Sequence, residues 1–175
     1  MELHDTLAQL ARLIRPTSYL EVGVRDGESL ECVLNNCGSL KRICLCDTWG
    51  NEDGGTGRGT NEHIKNLMTP RELAITCWLN GSSHLLLRTV DATFQLITVD
   101  GDHSKGGALE DLVDCWNLLE PNGFLLFDDI MHPAHPYLRG LVEQFVLDHT
   151  DARLVQHIMY LQTTFGCSML QKVIL

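Results

Sequence analysis

Two short apolar runs that stop abruptly in acids constrain this chain more than anything else in it. They are Ile97-Thr98-Val99-Asp100-Gly101-Asp102-His103 and Phe124-Leu125-Leu126-Phe127-Asp128-Asp129. A run this brief and hydrophobic reads as a strand covered on both faces, with its carboxylates at the C-terminal end. Between them, Leu109, Leu112, Val113, Trp116 and Leu119 recur at helical spacing, and Pro121-Asn122-Gly123 stops the pattern. Strand, helix, strand in this order predicts a parallel crossover unit. It brings Asp100, His103, Asp128 and Asp129 to neighbouring strand ends, the edge where open α/β sheets carry ligand chemistry.

The rest of the chain extends this pattern. Leu3, Leu7, Leu10, Ala11 and Ile14 form a helical stripe ended by Pro16. Strands are predicted at 19–23, 42–46 (ending at Asp47), 74–79, 95–99 and 123–127. Helices are predicted over 28–36 and from Pro136 onward, with Leu138, Leu141, Val142 and Phe145 inward. Two β-rich segments, 154–161 and 164–173, close the chain. Strands alternating with helices and then a hairpin describe an α/β fold, a doubly wound sheet with a late antiparallel strand. With no repeat or linker in its 175 residues, the chain reads as a single domain, 1–175.

Composition narrows the partners. A net charge of −10 argues against binding a nucleic-acid backbone or an anionic membrane. No apolar run approaches the roughly 18 residues of a membrane span, and the Met-Glu-Leu-His-Asp start lacks the pattern of a secretory signal. The expected location is cytoplasmic. The seven cysteines sit mainly in apolar runs without C-x-x-C spacing and read as reduced core residues. The glycine-dense segment 50–60 lacks the G-K-[ST] ending of a phosphate loop and reads as a surface loop.

Glu21-Val22-Gly23-Val24-Arg25-Asp26-Gly27 leaves the first strand and opens a helix. Its glycines allow a tight turn and close backbone approach to a ligand, and helix-starting N–H groups favour an anion. Turns of this kind also occur for packing alone. Asp47, at the end of the second strand, is placed to accept hydrogen bonds from ribose hydroxyls. Asn80-Gly81-Ser82-Ser83 follows the third strand, within reach of an adenine edge. Neither the G-x-G-x-x-G of dinucleotide folds nor the Tyr-x-x-x-Lys pair of short-chain reductases is present.

Together these pieces resemble a class I S-adenosylmethionine-dependent methyltransferase, closest to the small-domain group of macrocin-type O-methyltransferases and cephalosporin-hydroxylase-like proteins. The resemblance runs from about residue 18 to 130. It implies a mostly parallel seven-stranded Rossmann-like sheet of order 3-2-1-4-5-7-6 with strand 7 antiparallel. It also implies cofactor contacts from Glu21, Gly23, Asp26, Gly27, Asp47, Thr48, Trp49, Gly81, Ser82 and Asp100. By the same resemblance, Asp100, Asp128 and Asp129 hold Mg²⁺ and His103 takes the proton of a hydroxyl, with Asp100 as its catalytic neighbour. Hard carboxylate oxygens suit Mg²⁺, and a divalent ion makes a hydroxyl a better nucleophile.

Each acid taken alone also reads as a helix cap or a solvated strand end. His132 and His135, separated by prolines, read as a loop close to the same edge. Lys105-Gly106 stands where such families carry an aromatic and an acidic residue. The leading expectation is a metal-assisted O-methyltransferase of a hydroxylated small molecule, a sugar or secondary metabolite, with room for a homo-oligomer. The alternatives are a metal-independent methyltransferase and a non-catalytic S-adenosylmethionine-binding domain.

Overall fold

The computed structural model describes residues 3–50, 60–160 and 165–174. Seven strands form one sheet in the order β3-β2-β1-β4-β5-β7-β6. They are β1 (Ser18–Val22), β2 (Arg42–Asp47), β3 (Thr76–Asn80), β4 (Phe94–Val99), β5 (Leu119–Phe127), β6 (Ala152–Met159) and β7 (Gly166–Lys172). The first five pair in parallel, and β7 lies antiparallel to both β5 and β6. The expected order and the reversed strand are both present. The helices are α1 (Leu3–Ile14), α2 (Glu28–Asn36), α3 (Asn61–Asn66), α4 (Pro70–Ala74), α5 (Ser83–Leu86), α6 (Lys105–Leu118) and α7 (Leu138–Asp148).

Alternation along the strands sends side chains into two cores. Leu20, Val22, Ile97, Val99, Leu125 and Phe127 face α6 and α7 through Leu112, Trp116, Val142 and Phe145. Tyr19, Leu45, Leu96 and Leu126 face α1 and α2 through Leu7, Leu10, Leu30 and Val33. Every residue of β1 is buried. Leu3, Leu7 and Leu10 are buried on α1, and at about 1.5–3 kcal/mol each they suffice to dock that helix.

Some boundaries differ from the sequence reading, for local reasons. β3 starts at Thr76 because Thr69-Pro70-Arg71-Glu72 forms a capping box, with Pro at a first-turn position, and launches α4. α7 starts at Leu138 because backbone bonds from His135 to His132 and from Leu138 to His135 turn the chain first. β5 starts at Leu119, which pairs with Phe94 ahead of an irregularity. The glycine-dense stretch falls almost wholly outside the described residues. Among the described residues, no helix is long and apolar enough to cross a membrane.

The sheet order places β1 beside β4, with β2 and β3 wound off one side and β5 off the other. A crevice opens at such a switch point, at the C-terminal ends of β1 and β4. Gly23 closes its floor. It has φ +81, and a Cβ there would sit 1.9 Å from the Asp100 carbonyl oxygen. Gly23→Ala is therefore expected to cost at least about 1–3 kcal/mol from backbone strain alone, read as a lower urea midpoint. An unchanged midpoint would show that the two loops can separate freely.

Candidate active site

The site is built from the turns that follow β1, β2, β4 and β5. Three of these turns carry non-glycine residues in left-handed conformations: Arg25 (φ 52), Trp49 (φ 57) and Asp129 (φ 56). Strained backbone of this kind concentrates where structure serves a site. A cavity of about 200 Å³ opens beside the turns after β1, β4 and β5. Its lining includes Glu21, Gly23, Asp26, Asp100, Asp128 and Tyr160. Five of these six were expected site residues.

Glu21 is buried at the floor, where the Tyr19 hydroxyl donates to its Oε2 at 2.9 Å. Burial is the main cause that pushes its pKa up to about 8, with Asp100 and Asp47 adding to it. Gly27, also at positive φ, precedes the first residue of α2. Asp47 clasps the glycine turn. Its Oδ2 accepts from the backbone N–H of Val24 (2.7 Å) and Arg25 (2.8 Å), and its Oδ1 from Trp49 N–H (2.7 Å). A carboxylate offers about four acceptor positions, so one remains on Oδ1. Thr48 is exposed beside it. The Trp49 indole N–H donates to Asn80 Oδ1 at 2.9 Å. Gly81 N–H donates to the Asp47 carbonyl, tying the ends of β2 and β3 together, and Ser82 precedes α5. Asp47, Thr48, Trp49, Gly81 and Ser82 do not line the cavity.

The loop after β4 is held from beneath. Asp111 on α6 is 1% exposed, and its Oδ2 accepts the Asp102 N–H at 3.1 Å. His84 Nε2 lies 3.3 Å from Asp102 Oδ2, and His84 Nδ1 lies 3.5 Å from Asp111 Oδ1. A Cβ on Gly101 would meet Asp111 Oδ2 at 2.5 Å, so the loop packs this closely only as glycine. Ser104 caps α6 by accepting Gly107 N–H. The Tyr137 hydroxyl donates to the His103 carbonyl at 2.7 Å. Because that proton is committed, His135 Nδ1, 3.2 Å from the same hydroxyl, is its donor. The rings of His103 and His135 stack at 5.1 Å, and His132 adjoins His135 at 5.0 Å.

His103 Nε2 faces two carboxylates, lying 3.2 Å from Asp100 Oδ1 and 3.5 Å from Asp129 Oδ2. The nitrogen is shielded from solvent and neither contact has hydrogen-bond geometry. Asp100, His103 and Asp129 each present a donor atom within 4.8 Å of the others, the one such group among the described residues. Asp128, expected as the third oxygen ligand, is not in it. Its Oδ1 accepts instead from the Tyr160 hydroxyl. Burial, then the Asp100 charge, pushes the Asp128 carboxyl up to about 8, and Asp129 is raised by the same two causes. The neighbouring Asp100 raises the His103 pKa.

Sequence reasoning missed Tyr160, Tyr137 and Asp111. The hairpin residue Tyr160 gave no signal. Asp111 lies one residue before Leu112, and the apolar spacing alone does not mark it as buried.

Residues 20–130 match the family model of the methyltransferase domain. No curated protein sequence matches the chain. Solved structures share the fold at low identity. The O-methyltransferase TomG from Streptomyces achromogenes, in complex with S-adenosylmethionine, has a TM-score of 0.75 at 17% identity over 97% of this chain and 79% of that one. An O-methyltransferase from Bacillus cereus, in complex with S-adenosylhomocysteine, has 0.73 at 13% over 98% and 80%. The N-methyltransferase NodS from Bradyrhizobium japonicum has 0.69 at 14% over 98% and 94%. The fold therefore does not set the acceptor atom.

The buried acid at the cavity floor makes stability depend on pH. The folded chain keeps the Glu21 proton up to about pH 8, whereas an unfolded glutamate loses it near the ordinary value of 4.5. The folded state then binds the extra proton, so this residue's contribution falls as pH rises through that window. Glu21→Gln mimics the neutral carboxyl. Its melting temperature is expected to fall less than that of the parent between about pH 5 and 8; equal slopes in the two proteins would contradict the assignment.

Proposed function

The chain belongs to the methyltransferase-domain family, and we propose that it transfers the methyl group of S-adenosylmethionine to a hydroxyl of a small molecule, a sugar or secondary metabolite. One observation carries this reading. Asp100 lines the glycine-turn cavity and also belongs to the group in which Asp100, His103 and Asp129 converge. A methyl donor seated in the first meets an acceptor hydroxyl drawn to the second.

The residues divide the work. Gly23, Asp26 and Gly27 shape the turn that receives the donor's methionine end, beside the first turn of α2. Glu21 meets the donor's ammonium, and that cation draws off the proton which burial holds on the carboxyl. Asp47 keeps the turn in place through two backbone bonds, accepts a third from Trp49 in its own loop, and offers its remaining oxygen position to the ribose. Thr48, Trp49, Gly81 and Ser82 form the adenine side.

At the reaction corner, Asp100 and His103 are assigned to removal of the hydroxyl proton, with Asp128 and Asp129 adding negative charge. Asp100 and Asp129, converging with His103, are the residues that would hold a divalent cation, which would also relieve the repulsion between their carboxyls and that of nearby Asp128. Such an ion, Mg²⁺ by resemblance, supplies Lewis acidity that lowers the hydroxyl's pKa and fixes its position. The net charge of −10 favours a neutral or cationic acceptor over a nucleic acid. Seven unpaired thiols suit the reducing cytoplasm.

Calorimetry with S-adenosylmethionine tests the reading first. The donor is expected to bind and to raise the melting temperature, and Asp47→Ala to weaken binding by about 1–3 kcal/mol. Indifference to the donor would remove the methyltransferase reading.

With an acceptor in hand, His103→Ala is expected to cut turnover by about 10²–10⁴-fold at unchanged donor affinity. A parallel fall in donor binding would mark His103 as part of the cofactor site instead.

A further inference from the structure

Residues 100–104 carry Asp100 and His103, and side chains from outside the loop hold them in place. Just before α7, the Tyr137 hydroxyl donates to the His103 carbonyl. On α5 stands His84, whose ring no step of the proposed chemistry uses. We infer that His84 is a positioning residue: it ties α5 to Asp102 and so fixes the loop that presents Asp100 and His103 to the donor. The catalytic use of that loop rests on the methyl-transfer reading, whereas the tie itself does not.

Three observations carry the inference. The first is where the ring stands. Its Nε2 lies 3.3 Å from Asp102 Oδ2, and its Nδ1 lies 3.3 Å from Glu110 Oε2 and 3.5 Å from Asp111 Oδ1. Both nitrogens therefore meet carboxylates, one on the loop and two on α6. Ionised carboxylates only accept, so the hydrogens that join these groups come from the ring. Without it, three acids would surround a partly buried gap, one of them the 1% exposed Asp111, and their repulsion would drive the loop off α6.

The second is what fixes the ring. Arg88, four residues on from His84, has its Nε 2.9 Å from Asp114 Oδ2 and its Nη2 3.6 Å from Glu110 Oε2. His84 and Arg88 thus meet Glu110, Asp111 and Asp114 of α6 along one seam. The Arg88 contacts set where α5 lies against α6, and hence where His84 reaches the loop.

The third is how firmly Asp102 is joined to its own backbone. Its Oδ1 accepts the Ser104 N–H at 2.7 Å, and its N–H donates to Asp111 Oδ2 at 3.1 Å. A Cβ on Gly107 would lie 1.9 Å from Asp102 Oδ2, so the carboxylate rests against the first turn of α6 in space that glycine leaves. A hold on Oδ2 is therefore passed to the backbone of residues 102–104, with Asp100 two residues before and His103 in between. Misplacing reacting groups by about 1 Å can cost about 10²-fold in rate.

The test is amide hydrogen exchange, followed by NMR on the full chain without donor, in His84→Ala and His84→Gln. A glutamine amide can donate to Asp102 from near the Nε2 position, whereas alanine donates nothing. In His84→Ala the Asp102 and Ser104 amides are expected to exchange about 10–10²-fold faster, and the His103 ring resonances to shift. Core amides of β4 and α6 are expected to change by less than about threefold. His84→Gln is expected to return the loop amides to within about threefold of the parent and the His103 resonances to their places. In the unsubstituted chain, a slowly exchanging His84 Nε2–H proton is expected, a readout independent of whether the variants fold. Unmoved loop amides in His84→Ala, a uniform rise through β4 and α6, a glutamine variant no better than alanine, or no protected Nε2–H proton would each overturn the inference. Calorimetry of the parent with S-adenosylmethionine separates the two failures. If the donor binds while the exchange results fail, only this inference falls; if the donor does not bind, the methyl-transfer reading falls whatever the loop does.

Discussion

The contact on which the rest depends is the approach of two loops at the point where the sheet changes direction. The turn after β1 passes within van der Waals distance of the Asp100 carbonyl, and the absence of a side chain at Gly23 makes that approach sterically feasible. From one side of the contact the turn leads to α2 and is gripped by Asp47 from β2. From the other, residues 100–104 lead to α6 and are gripped by Asp111 from beneath. The cavity and the carboxylate–imidazole corner both arise at this seam.

Charge is concentrated here at a thermodynamic cost. Glu21 and Asp128 are buried acids, and their carboxyls resist ionisation in an apolar surround. Two tyrosines, Tyr19 and Tyr160, donate to them and reduce that cost. The arrangement leaves a region that binds positive charge more readily than it releases protons. That electrostatic character suits both a cationic sulfonium donor and a divalent ion.

Much of this was legible in the sequence. The alternation of apolar runs with helical stripes, followed by a terminal hairpin, gave the layered architecture, and the acids at strand ends marked the functional edge. The resemblance supplied the strand order. Within the site, legibility ended because side-chain direction depends on neighbours far along the chain. Nothing near Asp128 in sequence says that Tyr160, from the far end of β6, will claim its carboxylate. Nothing around His103 says that Tyr137 will hold its backbone and turn the ring toward Asp129. Asp47 read as a ribose ligand because its position is visible in one dimension. Its bonds from Val24 and Arg25 depend on how the turn after β1 curls over it. The missed helix at Pro70 was a different failure, since its capping box was in plain sight.

The bond from Tyr160 to Asp128 carries a consequence for how the molecule comes into being. Tyr160 follows β6, and its N–H bonds the carbonyl of Phe165 just ahead of β7, so the partner of a strand-five acid is contributed by the last pair of strands. Proteins emerge from the ribosome from the N-terminal end, and domains generally fold as units. A chain without the last pair of strands would leave the β5 edge open and the Asp128 carboxyl without this partner. Adding the hairpin closes that edge and quiets that charge in one event. Completion of the sheet and completion of the reaction edge are thus a single step of maturation, so a half-made chain cannot present a finished site.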